Sequence, residues 1–121
     1  SELMDDHNMY DARIHEIHHT KKKDAPSGTA ITTAEHMLAE LNRYHQWKLD
    51  GTQEDGTLPV TADRIPDVPG THTVTFESDI DLIELTHKAK SRKGFALGAI
   101  LAAEFIQEKK GVYTMKDLLK L

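Results

Sequence analysis

The chain has 121 residues, 38% of them hydrophobic and 29% charged, a balance that suits a soluble globular domain and excludes wholesale disorder. Fifteen Lys and Arg against 20 Asp and Glu leave a net charge of −5, so no overall basic field exists of the kind that holds nucleic acid. No cysteine is present, which excludes disulfides and thiolate chemistry and fits a reducing compartment, with the cytoplasm as the default; no apolar run approaches the ~20 residues that cross a bilayer.

The opening Ser1-Glu2-Leu3-Met4-Asp5-Asp6-His7 reads as the last turn of a helix entered in its middle, as if cut from a longer protein, and the length predicts a single domain over 1–121. From Tyr10 to His19 the alternation of Tyr10, Ala12 and Ile14 predicts a strand that carries His18 and His19 to its end on opposite faces. Pro26-Ser27-Gly28-Thr29 then punctuates the chain and supplies caps for a helix whose stripe is Ile31, Ala34, Leu38 and Leu41 and whose end falls near Asn42 to Tyr44. Asp50 to Gly56 lacks periodicity and reads as a loop.

Val60 to Ile65 suggests a short strand stopped by Pro66 and Pro69-Gly70. Thr71 to Phe76 and Ile80 to Leu85 are joined by the short link Glu77-Ser78-Asp79 and should pair as an antiparallel hairpin. The adjacent Leu82-Ile83 points to burial on both faces of the second strand. Lys93 to Lys109 is predicted to be a buried helix rich in small residues, ended by Gly111 and followed by a short helix, Met115 to Leu119, capped by Thr114. These elements give an α+β fold with a mixed, largely antiparallel sheet of about four strands and helices on one face. The other face, with Thr71, Thr73 and Thr75, is then expected to meet a partner sheet in a homo-oligomer.

The chemistry concentrates between His18 and Ala30. His18 and His19 can carry protons near neutral pH, although a hydrogen-bonded histidine at a strand end is the plainer reading of either alone. Lys22 can fix a carboxylate or act as an acid, whereas Lys21 and Lys23 read as solvated. Ser27-Gly28-Thr29 would be an ordinary N-cap elsewhere; beside these groups it becomes an anion cradle, combining hydroxyls, close backbone approach and the positive end of a helix.

His15, His18 and His19 raise the alternative of a metal site, but strand alternation puts His15 and His19 on one face and His18 on the other. Arg64 and His72 flank a Pro-Gly turn, while His87 and Arg92 flank a basic turn; each reads as surface or structural. No G-x-G-x-x-G turn occurs, so the main site of any nicotinamide cofactor must lie outside these residues.

The run Glu16-Ile17-His18-His19-Thr20-Lys21-Lys22-Lys23-Asp24-Ala25-Pro26-Ser27-Gly28-Thr29-Ala30 closely resembles the E-x-H-H-x-x-K-x-D-A-P-S-G-T-A signature of the dihydrodipicolinate (4-hydroxy-tetrahydrodipicolinate) reductase family. Gly70 to Phe76, Glu84 to Ala89 and Ser91 to Ala99 are similar to later segments of that family, in its order. The resemblance implies the family's C-terminal substrate-binding and tetramer-forming domain, with the N-terminal Rossmann domain that holds the dinucleotide absent. It further implies a reductase of diaminopimelate and lysine biosynthesis that uses NADH or NADPH on a cyclic dicarboxylate, with no cofactor tightly bound to this chain.

Carried over by position, the resemblance makes His18 the acid/base residue and Lys22 its partner as proton donor. His19 would contact substrate, and Ser27, Gly28 and Thr29 would hold a carboxylate; Arg92 and Phe95 match a stretch that approaches the cofactor. The resulting expectation is a chain that folds and assembles, as a tetramer in the family, but does not turn over alone, with no nucleic-acid or membrane partner. The alternatives are an oligomerisation module without surviving chemistry and a histidine metal-binding domain.

Overall fold

The computed structural model describes residues 1–121 and divides into two units, Ser1–Lys88 and Ala89–Leu121. In the first, a short helix α1 (Glu2–Asp5) leads to β1 (Asp11–His18), α2 (Gly28–Glu40), β2 (Gln46–Lys48), β3 (Thr57–Arg64), β4 (Thr71–Glu77) and β5 (Leu82–Lys88). The strands form one sheet in the order β2-β3-β1-β4-β5. β3 runs parallel to both β1 and β2, and β4 runs antiparallel to β1 and β5.

The mixed sheet and the β4–β5 hairpin are as the sequence predicts; β2 is an additional strand. Its three residues, Gln46, Trp47 and Lys48, are too few to show alternation and are drawn into the sheet by pairing with Thr57, Leu58 and Pro59. β3 likewise starts before Val60, because Thr57, Leu58, Pro59 and Val60 are all buried and a continuous buried run hides the period of two. β5 starts at Leu82, two residues later than predicted. Ser78 forms the turn instead, its hydroxyl accepting from Ile80 N and Asp81 N at 3.1 Å each.

Ala12, Ile14, Glu16 and His18 form the buried face of β1, and Val60, Val74 and Phe76 share it through the register pairs Ile14↔Val60, Ile14↔Val74 and Ala12↔Phe76. Over this face lies α2, which packs on β1, β2 and β3 through Ala30, Ala34 and Met37, with Leu41 following. The buried stripe is thus rotated from the predicted one: Ile31 is half-buried, and Leu38 packs only at the core's margin. β5 is exposed along its whole length, with Ile83 46% and Leu85 76% accessible, which corrects the expected burial on both faces. Thr71 and Thr75, expected on an open face, are buried within the chain.

The second unit holds α3 (Lys93–Ile106) and α4 (Met115–Leu119). α3 stops three residues short of the predicted Lys109, and none of its residues is buried, contrary to expectation, since a unit this small has no interior to offer its apolar side chains. Phe105 and Tyr113 meet edge to face at 5.7 Å. Asp117 accepts from both the N–H and the hydroxyl of Thr114, at 2.6 and 2.7 Å, and so starts α4 as predicted. No helix is long and apolar enough to cross a membrane.

α2 ends at Glu40, short of the predicted Asn42 to Tyr44, and one buried hydrogen bond ties the start of β1 to Tyr44 in the segment that follows the helix. The β1–β3 register begins only at Ile14, and the N–H of Ala12 is taken by the Tyr44 hydroxyl at 2.8 Å. Tyr44→Phe leaves this buried donor unpaired and should cost about 1–3 kcal/mol, read as a lower urea midpoint at unchanged m; an unchanged midpoint would show that water replaces the hydroxyl.

Candidate functional site

Three neighbouring strands bring their ends together under the start of α2. In register, Glu16 of β1 lies beside Ala62 of β3 and His72 of β4, and His18 lies beside Arg64. Period-two alternation puts Glu16 and His18 on the face that holds the core, so the carboxylate is fully buried. A buried carboxylate without partners would cost several kcal/mol, so its surroundings must supply donors.

Glu16 Oε1 accepts from the backbone N–H of Ser27 and from Arg64 Nη2, both at 3.1 Å. Arg64 is itself fixed by the carbonyls of Asp24 at 2.6 Å and Asp63 at 2.8 Å. The other oxygen, Oε2, lies 3.2 Å from His18 Nδ1 and 3.6 Å from His72 Nε2. Neither Oε2 nor His18 Nδ1 has a hydrogen-bond partner within the chain.

Burial pushes the Glu16 carboxyl up, but the hydrogen bonds from Ser27 and Arg64 outweigh it and hold the group below its ordinary value. His18 is lowered from the usual imidazole range, first by burial and then by the charges of Lys22, Arg64 and His19, with Glu16 opposing. Burial also lowers His72, whose ring packs edge-on against His18 at 5.0 Å. Both rings are therefore neutral at pH 7. Gly70 completes the fit: its φ is 158°, and a Cβ there would stand 3.1 Å from His18 Nε2.

Ser27 joins this cluster to the helix. Its hydroxyl accepts from Ala30 N at 3.2 Å as the N-cap of α2 and meets His72 Nε2 at 3.0 Å. Gly28 and Thr29 follow on the exposed first turn, where backbone N–H groups have no helical acceptor. Lys22, half-buried, pairs with Asp24 at 2.8 Å and lowers the Asp24 carboxyl. His19 is half-buried just past the end of β1, while Lys21 and Lys23 are exposed.

The sequence singled out His18, Lys22 and Ser27, and these share one electrostatic neighbourhood; Gly28 and Thr29 adjoin it. Arg92 and Phe95 lie in the second unit, at and just inside the start of α3. The sequence reading missed Glu16 and took Arg64 and His72 for surface or structural residues. All three contribute to the cluster. His15 stands apart on the opposite face of β1, bonded to Thr61 Oγ1 at 2.7 Å and 3.5 Å from Asp63, so it shares no site with His18.

A protein-family model described as "Dihydrodipicolinate reductase, C-terminus" matches residues 1–119. A 4-hydroxy-tetrahydrodipicolinate reductase of Christiangramia forsetii is 56% identical over 110 residues, which cover 91% of this chain and 46% of the relative. The same enzyme of Thermosipho africanus is 46% identical over 114 residues, covering 93% of this chain and 45% of the relative. The chain thus spans just under half the length of these curated relatives. Among solved structures, a dipicolinate-bound dihydrodipicolinate reductase from Paenisporosarcina sp. TG-14 matches with a TM-score of 0.64 and 29% identity, over 96% of this chain and 48% of that one.

The cluster's titration predicts acid sensitivity. His18 and His72 titrate near 6.5 when unfolded and lower when folded, so the unfolded chain binds more protons in that window and stability falls as pH drops below about 6.5. Glu16, lowered from 4.5, adds a second loss below that value. Urea midpoints measured from pH 8 to 4 should decline over both windows, the first more shallowly in His72→Gln; a flat profile down to pH 5 would contradict the neutral, buried histidines.

Proposed function

This chain belongs to the dihydrodipicolinate reductase family, matching its C-terminal part, and on that premise we propose that it is the substrate-binding and proton-donating half of a 4-hydroxy-tetrahydrodipicolinate reductase. The substrate is a cyclic dicarboxylate and the product tetrahydrodipicolinate, a step of lysine biosynthesis through diaminopimelate. The observation that carries this reading is the position of His18, held against the buried Glu16 beside a helix start whose first two residues, Gly28 and Thr29, are exposed.

One substrate carboxylate takes the N–H groups of Gly28 and Thr29 and the hydroxyls of Ser27 and Thr29, where the α2 dipole favours negative charge. Lys22 turns from Asp24 toward the incoming dianion, and His19 borders the same space. A dianion beside His18 favours its charged form, so binding itself loads the proton. NADH or NADPH supplies the hydride in the whole enzyme; addition to the unsaturated ring leaves an electron pair that the His18 proton quenches, with Lys22 as partner donor.

Neither strand-to-helix turn of this chain, β1 to α2 or β5 to α3, carries a G-x-G-x-x-G run, and the first is given to the carboxylate, so the dinucleotide is assigned mainly to residues outside this chain. Arg92 and the half-exposed Phe95 are assigned to meet it. The apolar side chains Leu82, Ile83 and Leu85 on the edge strand β5 favour assembly with further copies, as a tetramer, in the cytoplasm.

Calorimetry with pyridine-2,6-dicarboxylate tests the site. Binding should take up a proton and tighten from pH 8 to pH 6, because the complex holds on His18 a proton that the free chain releases. Lys22→Ala should weaken it about tenfold, or ~1.4 kcal/mol. Equal isotherms for the two proteins would remove Lys22 from the site, and a pH-independent affinity would remove His18. Separately, the chain alone should show no NADPH-dependent turnover; robust turnover would place a complete cofactor site within these residues.

A further inference from the structure

We propose that Glu16, His18 and His72 also form a binding site for a divalent transition-metal ion, zinc above all, whose occupancy takes His18 out of proton transfer. Each of the three offers one ligand atom, and these atoms lie within 4.8 Å of one another. Two separations are more telling: Glu16 Oε2 is 3.2 Å from His18 Nδ1 and 3.6 Å from His72 Nε2. Zinc bonds of about 2.0–2.1 Å in a tetrahedron place neighbouring ligands about 3.3 Å apart, so these distances already match two edges.

The donors also call for a ligand. Glu16 Oε2 and His18 Nδ1 are buried and without a hydrogen-bond partner, and the side chains that carry them are 0% and 10% exposed. Leaving such atoms unpaired is costly, and a cation between them relieves both at once. The support a metal site needs is present too. Oε1 of the same carboxylate is fixed by Ser27 N and Arg64 Nη2, and the three ligands stand on paired strands, with Glu16 opposite His72. Two imidazoles and a carboxylate select zinc, cobalt or nickel over magnesium or calcium and leave a fourth position open to water.

Two neighbouring cations oppose a dication, but each has its own anion: Arg64 holds Glu16 Oε1 and Lys22 holds Asp24 at 2.8 Å. They lower affinity below that of a closed structural site without filling this one. His72 exchanges its contact with Ser27 Oγ for the metal. With an ion on Nδ1, His18 cannot become an imidazolium, the form that donates a proton near neutrality. Metal binding and proton donation then exclude each other.

Cobalt(II) titration reads the site directly. One equivalent per chain should give the visible d–d absorption of tetrahedral cobalt, which zinc displaces, and imidazole 15N signals of His18 and His72 should move while that of His15 stays. His72→Gln and His18→Gln, each checked for fold by circular dichroism, should lose the band, and His15→Gln should keep it. The proposal is overturned if the native chain gives no such band, if the band survives in both folded site variants, or if the signals that move belong to other histidines.

Discussion

The carboxylate of Glu16 is the constraint around which the rest is arranged. It is fully buried on the core face of β1, and a charge there is tolerated only with donors in place. Those donors come from two separate parts of the chain, the backbone before α2 and the end of β3, while the imidazoles of β1 and β4 stand beside the other oxygen. Removing either donor would leave the charge less compensated. The same requirement that satisfies Glu16 therefore fixes where Ser27 and Arg64 must stand, the strand registers set His18 and His72 beside them, and a structural necessity becomes the geometry of a cluster.

Topology makes this affordable. β1 and β3 run parallel and end together, so His18 and Arg64 arrive side by side, while β4 runs the other way and starts where they stop. The chain leaves β1 and re-enters as α2, whose first turn caps this sheet end. Gly70 permits the close return into β4, because a side chain there would press on the His18 ring. Strand order and direction, more than any one loop, bring a helix start, two imidazoles and a guanidinium to one place.

Much of this was legible in the sequence, for reasons that can be named. The alternation in β1, the Ser27 cap and the β4–β5 hairpin rest on local patterns, and each formed. His18, Lys22 and Ser27 are near neighbours in the chain, so their association needed no knowledge of pairing. Glu16 had a readable signal that went unused: it continues the stripe of Ala12 and Ile14, which places a charge on a buried face. Arg64 and His72 had none. Their part depends on registers spanning 46 to 56 residues, Glu16↔His72 and His18↔Arg64, which no local period encodes. β2 was hidden by its brevity, and the exposure of β5 by the fact that edge position is a property of the sheet and not of the strand.

The electrostatics of the cluster divide into two ion pairs and two neutral imidazoles. Arg64 is neutralised by Glu16 and Lys22 by Asp24, so the pairs together carry no net charge, and both histidines are kept neutral by burial. The two pairs differ in permanence. Arg64–Glu16 is enclosed and cross-braced by backbone carbonyls, and opening it would expose a buried charge. Lys22–Asp24 is at the surface, with the Asp24 side chain 59% exposed, so water competes for it and little is lost when Lys22 changes partner. Under the proposed function, an incoming dicarboxylate would meet one cation that can move, the positive end of α2, and an imidazole whose pKa would rise as negative charge approached. The buried pair would then hold the shape while the exposed pair supplied the response.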